Sequence, residues 1–519
     1  MNLRYGDLSE IREKLSPAEE RFEARRRTAG LYLGPAVFLL LLLAPLPAPS
    51  AAASRLAAVV AWVLVWWITE AVPIPVTALL GPSLMVLLRV SGPGEAFSPF
   101  GDPVIFLFLG SFMLAEAMAV HGLDRRVAFA LLSSRLVGGS AARVLLAFAG
   151  LAAGLSMWLS NSATTAMLFP IALGVLGAMA RLLSAGGREV DPTRLRFGTA
   201  LMLLCAFASS IGGIGTPVGT PPNLIAMGYL DKLAGVKVPF FQWMLLALPI
   251  LLVMLSAALV LMRLLLPPEV RSIEGASEIL RRERAAMGPM SRGEWNVLSA
   301  FLLAVVLWVL PGAVAAVAGT SSGLYVLLQS VLPESVVALA ASSLLFLLPA
   351  DRASGTFTLT WNQAVRIDWG TLLLFGGGLS LGAAMFKTGL AGAVGQGLVS
   401  ATGARSTLAL TFLFAAVGIV VTEVTSNTAA ATMLVPLAIA AAASAGVSPL
   451  EPAVACALGC SMAFMLPVST PPNAIVYGSG CVRITQMIKV GVSLDAVAVV
   501  VIPLGVYIVA PLVLGGGGP

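Results

Sequence analysis

The sequence predicts an all-α polytopic membrane protein, and three observations lead to this fold class. Hydrophobic residues make up 58% of the 519 residues, charged residues only 11%, and the mean hydropathy is +0.95. A soluble domain carries about a quarter of its residues as charged side chains. Apolar runs long enough to cross a bilayer follow one another along the chain, and the charges gather in short stretches between them. An ordinary soluble fold is therefore excluded.

Apolar runs of about 17 to 25 residues predict transmembrane helices, because an α-helix rises about 1.5 Å per residue. We predict about eleven crossings. They occupy residues 31–48, 54–72, 74–90, 103–121, 194–212, 240–266, 295–318, 324–349, 369–386, 451–467 and 486–514.

Two further apolar stretches, 141–185 and 405–445, are interrupted by polar residues. The interruptions are the two Ser-Asn motifs, Ser160-Asn161-Ser162 and Ser426-Asn427-Thr428. Irregular backbone at membrane depth persists only where protein or a water-filled cavity surrounds it. Each stretch is therefore predicted to form a re-entrant helical hairpin with a polar tip.

The distribution of basic residues predicts how the chain lies in the membrane. Arginine and lysine are frequent in residues 1–30 and from Arg263 to Glu294, which the positive-inside rule assigns to the cytoplasm. The second stretch has the spacing of an amphipathic helix. No base follows Lys489, so the C-terminus is predicted to lie outside. The protein is expected in the plasma (inner) membrane, and its formal charge of +6 does not require a nucleic-acid partner.

Cysteine and histidine usage argues against a metal centre or a histidine relay. Cys205, Cys456, Cys460 and Cys481 lie in apolar or glycine-rich surroundings and are interpreted as small core residues without disulfides. His121, the single histidine, is interpreted as a helix-end residue. A membrane-embedded enzyme would need a nucleophile–base pair or a metal cluster, so the protein is predicted not to be an enzyme.

The second part of the chain repeats the first. Asp102, Gly110 and Gly122-Leu123 recur as Asp368, Gly376 and Gly389-Leu390 at offsets of 266, 266 and 267 residues, and Ser160 and Ser426 are also 266 apart. Agreement of acids, glycines and Ser-Asn motifs at one offset indicates a duplication. An odd number of crossings per repeat would invert the second copy, so that the two hairpins meet near the midplane.

Each hairpin is followed by a second polar element, a Thr-Pro-Pro-Asn motif at 220–223 and again at 470–473. Proline lacks an N–H group and disfavours helix in the residue before it, so Gly219-Thr220 and Ser469-Thr470 are predicted to be unwound with free carbonyls. Free N–H groups at helix starts bind anions, whereas free carbonyls and hydroxyls suit a sodium ion. Four such elements in a repeated order predict one site built from two halves, as in secondary transporters.

Other polar groups near the motifs leave alternatives open. Ser156 and Thr422 lie one turn before the signature serines and either reach the same cation or bond back to their own helix. Glu70, Glu116 and Glu423 are either coupling carboxylates or buried structural glutamates, and we favour the structural role.

These motifs resemble those of the divalent-anion/sodium symporter family, which includes sodium-coupled dicarboxylate, citrate and sulfate transporters. The resemblance begins near Trp66 and rests on residues 69–75, both Ser-Asn motifs, residues 215–223, 422–428 and 469–473, and Gly478-Ser479-Gly480. Ser162 departs from the pattern, because dicarboxylate transporters usually have threonine there. The first thirty residues are not covered.

The resemblance implies an elevator transporter that is usually a homodimer. Its parts would be a cytoplasmic segment at 1–30, scaffold at 31–136, transport domain at 137–266, cytoplasmic amphipathic connector at 267–294, scaffold at 295–402 and transport domain at 403–519. One sodium site would use Ser156, Ser160, Asn161 and Gly219, and the other Thr422, Thr425, Asn427 and Ser469. Substrate oxygens would meet Ser160, Asn161, Ser162, Thr220, Pro221, Ser426, Asn427, Thr428, Thr470 and Pro471.

The sequence-based hypothesis is a sodium-coupled symporter of small dianions, most simply four-carbon dicarboxylates such as succinate. The co-transported sodium ions are the expected cofactors, no organic cofactor is expected, and the partners are the dianion, the lipid bilayer and a second copy of the chain. The alternatives are a sodium/sulfate or tricarboxylate symporter, a sodium-independent anion exchanger, or an ion channel, which would need a continuous pore.

Overall fold

The fold is almost entirely helical. The structure is a computed structural model that describes residues 17–44, 48–134, 137, 140–184, 191–269, 276–319, 321–351 and 355–514. The helices in this part of the chain are α1 Pro17–Leu43, α2 Ala51–Thr69, α3 Ile74–Leu87, α4 Pro93–Phe97, α5 Pro103–His121, α6 Leu123–Leu132, α7 Ala141–Ser156, α8 Asn161–Ser184, α9 Arg196–Gly213, α10 Pro221–Ala234, α11 Phe240–Leu265, α12 Ala276–Ala286, α13 Arg292–Ala318, α14 Gly323–Val331, α15 Glu334–Leu344, α16 Trp361–Ala364, α17 Trp369–Thr388, α18 Leu390–Thr402, α19 Thr407–Thr422, α20 Asn427–Ala445, α21 Leu450–Gly459, α22 Pro471–Tyr477 and α23 Ile484–Leu514.

Short irregular elements connect some of these helices. The turns Ser98–Gly101 and Pro192–Arg194 are 3₁₀-helical. Strands β1 Pro349–Asp351 and β2 Thr356–Phe357 form a small antiparallel pair in which Pro349 faces Phe357 and Asp351 faces Thr356. No pattern in the sequence indicated this pair.

Within the described residues, nine helices are long and apolar enough to cross a membrane, or up to eleven when two bent helix pairs each count as one span. The bent pairs are α14 with α15, at 55°, and α18 with α19, at 96°. This confirms a polytopic all-α membrane protein. The predicted number of crossings is reached only with the bent pairs.

Several predicted crossings differ from the observed helices. The run at 74–90 forms a helix of only 14 residues, and the run at 324–349 is divided between α14 and α15. The predicted crossing at 451–467 is wrong, because α21 ends at Gly459 and the backbone is irregular from there to Thr470. Conversely, α20, predicted as a hairpin arm, is long enough to span by itself. Hydropathy could not locate the end of α21, because the residues that follow it are still largely apolar.

The two charged stretches have helices with different bounds from those expected. α1 runs without interruption from Pro17 to Leu43, so the basic lead and the first apolar run form one helix. The predicted amphipathic connector contains α12, which covers only 276–286, and α13 already begins at Arg292. Residues 1–16, 270–275 and 515–519 of the predicted terminal and connector segments lie outside the described residues.

The residues that repeat in the sequence hold matching local positions. Asp102 caps the start of α5 by accepting from Val104 N at 2.9 Å, and Asp368 caps α17 by accepting from Thr371 N at 3.1 Å. Gly122 and Gly389 end these helices with φ of 69° and 81°, a left-handed conformation that glycine adopts without strain.

Buried helices near the middle of the fold position the polar motifs. α9 is buried along its whole length, and it packs against α7, α8, α11 and the short α22. α10 packs against α20, α21 and α17. His121 ends α5, where its Nε2 lies 2.6 Å from Thr358 O, and the four cysteines are buried with free thiols, as expected for core residues.

Candidate functional site

Each Ser-Asn motif lies at a break between two helices. α7 ends at Ser156 and α8 begins at Asn161, while α19 ends at Thr422 and α20 begins at Asn427. The serine caps the second helix in both cases: Ser160 Oγ accepts from Ala163 N and Ser426 Oγ accepts from Ala429 N, each at 3.2 Å. The tips therefore present helix N-termini, where N–H groups and the helix dipole favour an anion.

The asparagine of each motif is held by the hydroxyl that precedes it. Ser156 Oγ donates to Asn161 Oδ1 at 2.7 Å. The single hydroxyl proton of Thr422 has two acceptors within reach, Asn427 Oδ1 at 2.7 Å and Cys460 O at 2.8 Å. These hydroxyls therefore bond to asparagine side chains rather than back to their own helices. Each asparagine oxygen keeps a second lone pair for another partner.

The Thr-Pro-Pro-Asn motifs start helices α10 and α22 directly after a break. Thr220 and Thr470 are extended, with φ of −148° and −145°, so the predicted unwinding is observed. Their carbonyls are not free, however, since Thr220 O accepts from Asn223 N and Thr470 O from Ala474 N, each at 3.2 Å. The prolines follow the break at positions that need no N–H donor, and the helix resumes at once.

The asparagines of these motifs have a role that the sequence did not reveal. Asn223 Nδ2 donates to Gly213 O at 2.9 Å and Thr216 O at 2.7 Å. Asn473 Nδ2 donates to Ala463 O and Leu466 O, both at 3.0 Å. The side-chain amide thus replaces the helical bonds lost at each break, and both asparagines are fully buried. The identical spacing of ten and seven residues was the available signal.

In the first break, backbone oxygens converge on Gly219. A Cβ built there would lie 2.5 Å from Gly213 O and 2.9 Å from both Met157 O and Ser156 O. A Cβ on Gly213 would in turn lie 2.5 Å from Asn161 Oδ1. These are uncharged hard oxygen ligands of the kind that suit sodium, and only glycine leaves the space between them.

The second break has side chains where the first has space. Ser469 Oγ donates to Glu423 Oε2 at 2.6 Å and also lies 2.9 Å from Glu423 O. Glu423 Oε1 accepts from Phe464 N at 2.7 Å and Met465 N at 3.0 Å. Thr425 Oγ1 donates to Trp67 O at 3.4 Å. The second half is therefore lined by a carboxylate and hydroxyls rather than by backbone oxygens alone.

The predicted substrate residues differ in exposure and access. Ser160 and Pro471 are exposed, Asn161, Ser162, Pro221, Ser426, Asn427 and Thr428 are half-buried, and Thr220 and Thr470 are buried. A cavity of about 570 Å³ reaches Ser426 and Thr428, and a second, of about 880 Å³, reaches Ser426 and Ser469. Arg27 and Glu70 line both. These cavities give access to the second tip.

Helix packing brings the two halves into one body. α22, which starts at the second Thr-Pro-Pro, packs against α8 and α9 of the first half, and α10 packs against α20 and α21 of the second. The rings of Phe207 and Phe464 lie 4.9 Å apart, and Tyr229 OH donates to Thr432 O at 3.3 Å. The four polar elements thus share one packed core, although they are far apart in sequence.

The three glutamates have different environments. Glu423 is buried and accepts hydrogen bonds from the N–H groups of Phe464 and Met465. Glu116 is half-buried in α5. Glu70 is not buried: its carboxylate lies 3.7 Å from both Arg26 and Arg27 at the cavity mouth, and its backbone is left-handed, with φ of 47°. The structural role of Glu70 is therefore an ion-pair contact with α1.

The helical fold and the paired oxygen-lined breaks are features of a membrane transport protein that binds ions at interrupted helices. The family described as the sodium:sulfate symporter transmembrane region matches residues 25–513. The chain belongs to this family, and it is a transporter rather than an enzyme.

Curated relatives agree with this membership, and a solved structure has a similar fold. The chain is 35% identical over 493 residues to the sodium-dependent dicarboxylate transporter SdcS of Staphylococcus saprophyticus, covering 94% of this chain and 92% of the relative. It is 34% identical over 490 residues to SdcS of Staphylococcus aureus strain USA300, again with 94% and 92% coverage. In fold it is similar to the YdaH transporter of Alcanivorax borkumensis, with a TM-score of 0.52 at 15% identity, over 96% of this chain and 98% of that one.

Proposed function

We propose that the protein is a sodium-coupled symporter of four-carbon dicarboxylates such as succinate. The observation that carries this proposal is the cluster of uncharged oxygens around Gly219, with Asn161 beside it, because such a cluster binds sodium without a basic side chain. The relatives named as sodium-dependent dicarboxylate transporters support the same substrate pair.

In this proposal each half-site holds one sodium ion and one end of the dianion. Ser156, Ser160, Asn161 and Gly219 bind the first sodium, and Thr422, Thr425, Asn427 and Ser469 bind the second. The two carboxylates meet the N-termini of α8, α10, α20 and α22, where N–H groups and partial positive charge accumulate. The asparagines present an oxygen to the cation and an amide to the anion, which makes binding of the two ions mutually dependent.

The proposed movement is an elevator with a scaffold at 31–136 and 295–402, a transport domain at 137–266 and 403–519, an inverted repeat and a homodimeric scaffold. Contacts that join α8 and α9 to α22, and α11 to α23, support treating the transport parts as one body. Contacts of α5 with α13 and α15 support the same for the scaffold. Among the described residues, the polar contacts that cross between them include the ion pair of Lys232 with Asp102 at 3.1 Å, and the bonds of Phe240 N to Glu334 at 2.6 Å and of Thr425 Oγ1 to Trp67 O at 3.4 Å.

The positive-inside rule assigns the start of α1 to the cytoplasm. The two cavities at Arg27 then open toward the cytoplasm, so the proposed state is inward-facing, with the C-terminus outside. Its test uses a Ser426→Cys variant, because the four native cysteines are buried and give little background. A membrane-impermeant maleimide should label it from the cytoplasmic face, and succinate with sodium should protect it; labelling only from outside contradicts this orientation.

The coupling is tested by uptake of labelled succinate into proteoliposomes. Uptake should need an inward sodium gradient and should be absent in choline or potassium. Equal uptake without sodium contradicts the coupling. If sulfate or citrate competes more strongly than unlabelled succinate, the protein is instead a sulfate or tricarboxylate symporter. Counterflow without sodium would indicate an exchanger.

A further inference from the structure

Two buried carboxyl groups lie next to the second half-site without a positive partner. Glu423 is 2% exposed and Asp495, on α23, is 6% exposed, and the two carboxyl groups interact with each other. Both oxygens of Asp495 are buried and accept no hydrogen bond, and within the described residues neither carboxylate has an ion-pair partner. Two carboxyl groups so placed in a low-dielectric interior stay ionised together only when a cation lies between them; otherwise one of them holds a proton.

The backbone around Phe464 brings these groups to one place. Phe464 N and Met465 N donate to Glu423, while Phe464 O lies against Gly491 so closely that a Cβ on Gly491 would collide with it. Gly491 and Asp495 are one turn apart on α23, and helical side chains tilt back toward the N-terminus. From this tilt we expect the Asp495 side chain to lie over the turn of α23 that contacts Phe464 O.

The charged groups on the neighbouring helices do not neutralise this pair. α11, α19 and α21 pack against α23. α19 has no charged residue, Arg263 of α11 is exposed at the helix end, and Glu451 of α21 bonds with Ser448 at 2.5 Å. Arg26 reaches Val424 O, next to Glu423, but its ion pairs are with Glu23 and Glu70.

We propose that Asp495, Glu423 and the carbonyl of Phe464 form a third cation site that holds a sodium ion, in addition to the sodium of each half-site. Carboxylate and carbonyl oxygens are the hard ligands that sodium prefers, and Glu423 is already held in place by three donors. In the first half, Met157 stands where Glu423 does, so the site exists only in the second half. Sodium as the occupant rests on the proposed function.

The test compares purified wild type with Asp495→Asn, using Glu334→Gln as the matched control. Both changes neutralise an acid in a membrane helix, but Glu334 contacts Phe240 N, away from the site. Thermal unfolding is followed by tryptophan fluorescence during a sodium titration without substrate, with choline keeping the ionic strength constant. Each bound sodium adds to the dependence of the unfolding temperature on sodium concentration.

We expect Asp495→Asn to lower the slope of unfolding temperature against the logarithm of sodium concentration by about a third, from three sodium ions to two. In sodium-free buffer the variant should unfold no earlier than wild type, because it removes an uncompensated charge; a purely structural aspartate would lower the unfolding temperature at every sodium concentration. The control should keep the wild-type slope.

The contrary outcomes are distinct. A wild-type slope retained by Asp495→Asn overturns this inference alone, and a wild type without sodium dependence overturns the proposed function with it. If lower pH stabilises wild type but not the variant in sodium-free buffer, and the sodium slopes are unchanged, the occupant is a proton. That result also overturns the inference. If the variant does not fold, sodium-22 bound to wild type at saturation decides: three ions per chain are expected, and two contradict the third site.

Discussion

The first and second half-sites share a backbone plan but differ in what fills it. In both, a serine caps a helix at the tip, a hydroxyl holds an asparagine at 2.7 Å, and a buried asparagine amide bridges two carbonyls of the following break. In the first, Gly213, Gly219 and Met157 place backbone oxygens close together with no polar side chain of their own; the second has Ala463, Ser469 and Glu423 at the same positions. The first half therefore depends on the absence of side chains and the second on their presence.

This difference indicates that the two halves have different roles. Backbone carbonyls remain in place when their own side chains are substituted. An added atom at Gly219 would occupy the space among them, so we expect the first half not to tolerate it. The second half carries negative charge and opens into the cavities lined by Arg27 and Glu70. The two halves share a backbone geometry, whereas the side chains around it differ.

The largest expected effect is common to both halves. Asn161→Ala and Asn427→Ala each remove the oxygen and amide that face the ions, so uptake should fall by about a hundredfold or more in either variant. Sodium-dependent succinate uptake in proteoliposomes is the measurement, with reconstituted protein amount as the control. Normal uptake by one variant would remove that half from the proposed site.

The next prediction separates the halves. Gly219→Ala puts a methyl group among the oxygens of Gly213, Met157 and Ser156, so the sodium concentration for half-maximal uptake should rise by about tenfold or more. Ser469→Ala leaves the backbone carbonyl in place and loses one hydroxyl, so a change of only a few-fold is expected. Equal effects of Gly219→Ala and Ser469→Ala would contradict this difference between the two halves.

The asparagines that bridge the two breaks should contribute similar amounts to the free energy of unfolding. Asn223→Ala or Asn473→Ala leaves two buried carbonyls without donors, which should lower the free energy of unfolding by about 2–5 kcal/mol. The thermal unfolding midpoint in detergent measures this. Asn223→Asp and Asn473→Asp keep the size but lose the donors, so they should be no more stable than alanine; recovery of stability by aspartate would contradict the bridging role.

The smallest effect is expected at the one unequal motif position. Ser162→Thr makes the first motif match Ser426-Asn427-Thr428 and adds one methyl group, worth about 1 kcal/mol when it fits. The ratio of succinate to sulfate uptake should change by a few-fold while sodium dependence stays constant. Thr428→Ser is the reciprocal variant, and an unchanged ratio in both would place substrate selection elsewhere.

Much of the fold followed from residue patterns that act locally. Apolar runs located most of the long helices, and the Ser-Asn and Thr-Pro-Pro-Asn motifs located all four breaks, because capping, proline geometry and hydropathy operate within a few residues. The pattern failed at residues 451–467, where apolar composition continues but the helix does not. There Asn473 binds the carbonyls of Ala463 and Leu466, a contact that hydropathy does not report.

The sequence by itself determined the membrane class, the polar motifs and the family, since composition and spacing are properties of the chain, and it predicts the duplication. The tertiary structure decided which polar groups meet: Ser156 and Thr422 hold asparagines, the carbonyls of Thr220 and Thr470 accept the first bonds of helices, and three backbone oxygens surround Gly219. It also brought Asp495 to Glu423, 72 positions away in the sequence. Such pairings depend on how α9, α21 and α23 pack, and close packing is decided by the whole core rather than by any local pattern.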